Sequence, residues 1–164
     1  MKIAILSDSH EHFENVKKAM KAISNSDIGA LIFCGDFCGS KVAQIIAEFK
    51  GPIYVVLGNH DGDPLRIVQY GTEKNAQFKV FHEGGGVFEC GGKKIALTHY
   101  PLYGNALART GDYDLVCFGH DHDPRIETHD NCIAVNPGSI LGDKKPASFA
   151  IYDTATHKAE LFGL

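Results

Sequence analysis

Aspartate, histidine and asparagine gather at five places in this chain of 164 residues: Asp8-Ser9-His10, Gly35-Asp36, Gly58-Asn59-His60-Asp61, Thr98-His99 and Gly119-His120-Asp121-His122. Five of the nine histidines lie in these clusters, while His12, His82, His129 and His157 sit in helix, loop or late-strand positions with no clear partner. Carboxylate oxygen, amide oxygen and imidazole nitrogen together suit divalent ions of intermediate hardness, such as manganese, iron, nickel, cobalt or zinc. One ion takes three or four protein ligands, and Asp8, His10, Asp36, Asn59, His99, His120 and His122 exceed that need. The surplus points to two ions sharing a bridging carboxylate. Two divalent ions bring a charge of about +4 against −2 from Asp8 and Asp36, and a bridging hydroxide leaves about +1. Such a site attracts an anionic phosphoryl group, and a pair of ions about 3.5–4 Å apart can activate water for in-line phosphoryl displacement.

The elements that must position these residues are legible in the hydrophobic pattern. Lys2 to Leu6, Ala30 to Cys34 and Ile53 to Leu57 are short apolar runs with the length of buried strands. Between them, apolar residues at helical spacing predict helices over about Glu11 to Ser24 and Lys41 to Phe49. Strands alternating with helices predict a parallel sheet covered on both faces. Farther on, Val87 to Cys90 and Lys94 to Thr98 flank Gly91-Gly92 as a hairpin. A short helix near Leu102 to Arg109 follows, then a buried strand at Leu115 to Phe118. Further strands are expected at Arg125 to Thr128, Ile133 to Val135, Ser148 to Tyr152 and Ala159 to Phe162. The expectation is mixed α/β, parallel early and antiparallel late, in a single domain over 1–164. Each Asp/His cluster follows a strand. In open α/β sheets the loops at the carboxyl ends of the strands share one crevice, where ligands bind. The segments Tyr70 to Glu83 and Tyr100 to Asn105 read as loops around it.

Composition narrows the function. With 44% hydrophobic and 22% charged residues, the chain is neither disordered nor fibrous. A net charge of −4 argues against a basic nucleic-acid surface or a polybasic membrane patch. No apolar run nears the roughly 18–20 residues that span a bilayer, and Met1 to Leu6 lacks the features of a secretory signal. Five cysteines without a C-x-x-C pair read as free thiols. The expected setting is the cytoplasm.

In order along the chain, Asp8-x-His10, Gly35-Asp36, Gly58-Asn59-His60-Asp61, His99 and Gly119-His120-x-His122 resemble the signature of calcineurin-like metallophosphoesterases. The short length and Asn136-Pro137-Gly138-Ser139 resemble the small, cap-less phosphodiesterase branch. The resemblance implies a four-layer α/β/β/α sandwich with two mixed sheets and a dinuclear centre. It implies one ion held by Asp8, His10, Asp36 and His122, and another by Asp36 as bridge with Asn59, His99 and His120. It implies manganese first among the candidate ions, with nickel, iron, zinc, cobalt or magnesium as others. His60 would face the phosphate, stabilising charge or protonating the leaving group, with Asp61 orienting its ring, and the bridging hydroxide would be the nucleophile. Two positions depart from the branch: Thr98-His99-Tyr100-Pro101 stands where many members have Thr-His-Gly-His, and His60 follows Gly58-Asn59.

The resulting expectation is a metal-dependent phosphodiesterase acting on a small phosphodiester, with nucleic acid involved only as substrate and with copies of the chain able to associate. The alternatives are a protein-interaction scaffold on the same fold, like the retromer subunit that resembles this family, or a phosphomonoesterase or nuclease. Several features have plainer readings: Asp8 as a helix cap, Cys38 as a buried thiol, Asn136 to Ser139 as a turn, and Lys41, Lys144 and Lys145 as surface charge.

Overall fold

The computed structural model describes residues 1–164. The chain runs β1 Lys2–Leu6, α1 Phe13–Ser24, β2 Ile28–Phe33, α2 Ser40–Ile46, β3 Ile53–Val56, α3 Pro64–Lys74, β4 Phe78–Phe81, β5 Gly86–Cys90, β6 Lys93–Leu97, α4 Pro101–Ala108, β7 Leu115–Cys117, β8 Arg125–His129, β9 Cys132–Asn136, β10 Ser148–Asp153 and β11 Lys158–Gly163. Two mixed sheets result. One has the order β11-β10-β1-β2-β3-β4, and the other β5-β6-β7-β9-β8.

Alternation along the central strands assigns the layers. Ala4, Leu6, Leu31, Phe33, Ile53 and Val55 turn toward α1, α2 and α3, where they pack with Val16, Ile23, Val42, Ile46 and Ile67. Their neighbours Ile3, Ile5, Ala30, Ile32, Tyr54 and Val56 turn the other way. They meet Ile95, Leu97, Leu115, Cys117, Ile133 and Val135 of the second sheet. On that sheet's outer face, Ala96, Val116 and Ala134 pack with Ala108 of α4. The order is therefore helices, sheet, sheet, helix. Strands buried on both faces read as continuous apolar runs, which is why β1, β2 and β3 are plain in the sequence.

Two expectations need correction. The late strands are not simply antiparallel: β6, β7 and β9 pair in parallel, with antiparallel β5 and β8 at the edges. The segment Tyr70 to Glu83 is not a loop, because α3 ends within it and β4 extends the first sheet in parallel beside β3. Helix α3 buries only Ile67 and Gly71, so its hydrophobic stripe is thin. Its usable signal is Asp63, whose side chain caps the Arg66 N–H, followed by Pro64 in the first turn. Likewise Tyr100 to Asn105 is mostly the start of α4, with Pro101 at its head.

Asp8 does not cap α1; the cap is His12, whose side chain accepts from the Asn15 N–H. Lys41 lies over the Phe13 ring, 4.9 Å from its centroid. No helix is long and apolar enough to cross a membrane, and all five cysteines are free.

Candidate metal centre

The parallel strands of both sheets deliver their carboxyl ends to the same rim. β1 leads into Asp8 and His10, β2 into Asp36, β3 into Asn59 and His60, β6 into His99, and β7 into His120 and His122. Backbone bonds lace these loops together. The Asp8 N–H donates to the Gly35 carbonyl (3.0 Å), that of Ser9 to Asp36 (3.1 Å) and that of Gly119 to His99 (3.0 Å). Across the sandwich, His99 Nδ1 lies 2.7 Å from the Cys34 carbonyl. Beside Asp36, the buried Phe37 ring stacks on Phe33 with centroids 4.1 Å apart. Burying such a ring is worth about 1.5–3 kcal/mol and fixes the loop that carries the carboxylate.

Two groups of ligand atoms converge. Asp8, His10 and His122 form one, and Asp36, His99 and His120 the other, each with its ligand atoms within 4.8 Å of one another. In the first, His10 Nε2 lies 3.2 Å from His122 Nε2, and His122 Nε2 lies 3.5 Å from Asp8 Oδ1. In the second, His99 Nε2 lies 3.2 Å from His120 Nδ1 and 3.1 Å from Asn59 Oδ1. Asp36 Oδ2 stands between the groups, 3.5 Å from both His10 Nε2 and His99 Nε2. The structure thus brings together all seven residues singled out in the sequence.

Each aspartate has one oxygen engaged and one facing the centre. Asp8 Oδ2 accepts from the His120 N–H (2.9 Å), and Asp36 Oδ1 from the His60 N–H (2.9 Å). Asp8 Oδ1 is buried with no hydrogen-bond partner at all. An orphaned carboxylate oxygen away from water is costly unless a cation faces it. The imidazoles match this need. A carbonyl can only accept, so His99 carries its proton on Nδ1 and turns the Nε2 lone pair toward Asp36 and Asn59. These residues therefore fit a pair of divalent ions.

Charge in the pocket shifts its titrations. For Asp36, burial pushes the carboxyl up, but the neighbouring His99 imidazole and the hydrogen bond from the His60 N–H outweigh it, and the net shift is down. Burial pulls His99 down, yet the Asp36 carboxylate 3.5 Å away carries it above the ordinary value. The Asp8 carboxylate, 3.5 Å from Nε2, pushes His122 up to about 9 against its burial. Burial and the neighbouring His99 press His120 down.

The backbone around the site is held in an uncommon conformation. Asp8, His10, Asp36, His120 and His122 all have positive φ, from +41° to +74°. Five ligand candidates in the left-handed region are the local strain expected where the surrounding structure over-determines a functional geometry. Close approach also requires glycine. A Cβ at Gly58 would collide with the Asp36 carboxylate, and one at Gly119 would meet the Ser7 hydroxyl and stand 2.5 Å from Asp8 Oδ2.

Asp61 does not orient His60, which corrects the expected role. Its carboxylate accepts from the backbone N–H groups of Gly58 (2.7 Å), Cys38 (2.9 Å) and Asp36 (3.1 Å). It is a clamp between the loops after β2 and β3, and burial raises its carboxyl despite those bonds. The His60 ring makes no hydrogen bond; it is exposed, with its centroid 5.2 Å from that of His10.

Other residues carry more than the sequence indicated. Cys38 is half-buried with Sγ 3.3 Å from His10 Nδ1, and burial together with the Asp36 charge pushes its thiol up to about 12. Asn136 donates to the Gly119 carbonyl (3.2 Å) and to Asp121 (2.7 Å), and Ser139 Oγ donates to the Asp8 carbonyl (3.1 Å). The Asn136 to Ser139 segment is thus a turn that braces two ligand loops. Asp121 holds Arg125 through both its oxygens, at 3.1 and 2.8 Å. Asp143 Oδ1 lies 2.7 Å from His122 Nδ1. A lone Asp in Gly142-Asp143-Lys144-Lys145 carries no motif that would have exposed this contact.

Comparisons with known proteins identify the fold and the family. Phosphodiesterase MJ0936 of Methanocaldococcus jannaschii is 28% identical over 144 residues, covering 87% of this chain and 86% of that protein. The solved structure of a novel archaeal phosphodiesterase superposes over the whole of both chains with a TM-score of 0.93 and 26% identity. Vps29 from Entamoeba histolytica, solved with zinc, shares the fold at a TM-score of 0.69 and 18% identity over 99% of each chain. The model of the calcineurin-like phosphoesterase superfamily domain matches residues 1–157, and the chain belongs to that superfamily.

Proposed function

We propose that the protein is a divalent-metal-dependent phosphodiesterase that hydrolyses small phosphodiesters at a dinuclear centre. The observation that carries this reading is Asp36 Oδ2, equidistant at 3.5 Å from the His10 and His99 nitrogens, beside the unpartnered Asp8 Oδ1. Asp8, His10, Asp36 and His122 would hold one ion; Asp36, Asn59, His99 and His120 would hold the other. When bound, the ions supply Lewis acidity for the phosphoryl oxygens and lower the pKa of water for attack. Manganese is our first candidate, and the mixed O,N donor set equally accommodates nickel, iron, zinc, cobalt or magnesium. Five unpaired thiols and the absence of disulfides support a reducing compartment, the cytoplasm.

The chain's own residues set the rest of the chemistry. Asp61 and the left-handed turns hold the loops rigidly, so the donors need little reorganisation on loading. His60 is tied through its backbone to Asp36 while its ring stays free at the exposed mouth, where it can meet phosphate charge and give a proton to the leaving oxygen. Replacing His60 by alanine should lower kcat about 10²- to 10⁴-fold while two ions per chain remain bound. Metal loss in that variant would assign His60 to ligation instead.

The diester preference is supported by the archaeal relatives, which are named as phosphodiesterases. The scaffold reading rests on a likeness of fold, and this chain retains every candidate ligand. The test is hydrolysis by stripped protein of bis-p-nitrophenyl phosphate against p-nitrophenyl phosphate, after adding manganese, nickel, zinc or magnesium. Diester turnover that appears only with metal and exceeds monoester turnover is expected. No turnover with two ions bound would favour the scaffold.

A further inference from the structure

We infer that Asp143 is the positioning residue that fixes the ring orientation and tautomer of His122 at the first ion position. The inference deepens the dinuclear reading above and rests on it.

The contact is short and has one chemical sense. Asp143 Oδ1 lies 2.7 Å from His122 Nδ1, and an ionised carboxylate only accepts, so the Nδ1 proton stays there and Nε2 faces Asp8. The loop that carries Asp143 is itself built into the centre. The N–H groups of Ile140 and Leu141 donate to the carbonyls of Ser7 and Asp8, both at 3.0 Å. Ser139 Oγ donates to the Asp8 carbonyl and accepts from the Gly142 N–H (3.2 Å), and Asn15 Nδ2 donates to the Ile140 carbonyl (2.9 Å). Gly142, at φ +78°, then turns the chain so that Asp143 reaches His122. One hydrogen-bonded unit therefore places Asp8 on one side of the first position and the brace of its imidazole on the other.

The braces also differ in chemistry. His99 is held by a carbonyl oxygen, His10 lies against a thiol sulfur at 3.3 Å, and His122 alone is held by a carboxylate. A carboxylate partner raises the basicity of a ligating imidazole, and such outer partners are worth about 10–100-fold in metal affinity. The second group of donors makes no contact with Asp143, so the effect should be confined to one ion.

Calorimetric titration of metal-free wild type, Asp143→Asn, Asp143→Ala and Asp143→Glu with manganese(II) tests this without any turnover assay. The expected result is about 10–100-fold weaker binding of one ion in the Ala variant, a smaller loss in the Asn variant, partial recovery in the Glu variant, and a second ion within about threefold of wild type. Two unchanged affinities, or equal losses at both ions, would overturn the assignment while leaving the dinuclear reading standing. Wild-type protein that binds no divalent ion would overturn both.

Discussion

Asp36→Asn is expected to abolish turnover and loosen both ions together. Asparagine can keep the bond from the His60 N–H through its carbonyl oxygen, so the loop need not move. The other oxygen becomes an NH₂ donor at the point 3.5 Å from both His10 Nε2 and His99 Nε2, facing the proposed ion positions. The substitution removes a negative charge from a buried position and replaces a lone pair with protons. Its effect on affinity should exceed the about 10–100-fold typical of an outer partner, because on the proposed bridging role both positions would lose a direct ligand at once. Dialysis followed by metal analysis, with kcat/KM for the diester, checks the outcome. Unchanged turnover would refute the bridging role.

The second large effect is on the metal-free protein as pH rises. His122 is pushed up to about 9 from an ordinary value of 6.5, chiefly by the Asp8 carboxylate facing its Nε2. A raised histidine stabilises the fold in its charged form, fully below about pH 6.5 and progressively less as pH climbs through about 9. The full shift corresponds to about 3.4 kcal/mol, and solvent screening at the open mouth of the site reduces the expected loss for stripped protein to about 2 kcal/mol, or roughly 4–8 °C in melting temperature. A metal ion requires the neutral ring, so loading below pH 9 displaces the proton and affinity strengthens as pH rises. The two forms should diverge: melting of chelated protein falls between pH 6.5 and 9.5, while the increment conferred by manganese grows. A flat profile for the chelated protein would exclude the Asp8–His122 ion pair as the source.

Much of the scaffold was legible because its central strands are covered on both faces. β1, β2 and β3 appear as unbroken apolar runs, and within three residues of each end the pattern breaks into Asp, His or Asn. The thin helix α3 was missed for the converse reason: with only Ile67 and Gly71 buried, periodicity has little to work on, and only the Asp63-Pro64 capping signal marks its start. The parallel pairing of β6, β7 and β9 was also hidden, since single-strand patterns do not encode the direction of the neighbour.

Within the site the division falls along the same line. Residue type and strand-end position were enough to nominate Asp8, His10, Asp36, Asn59, His99, His120 and His122, because ligand chemistry is a property of the side chain itself. What the sequence could not contain is which atom of each faces which. Asp61 stood next to His60 and was read as its partner, yet its carboxylate turns to the N–H groups of Gly58, Cys38 and Asp36. Asp143 lies 21 positions from His122 and carries no motif, yet it holds that ring. Hydrogen bonds of this kind depend on distances of a few tenths of an ångström between loops brought together by two packed sheets. The sequence by itself determined the chemical class of the centre; the tertiary structure decided how each donor is aimed and braced.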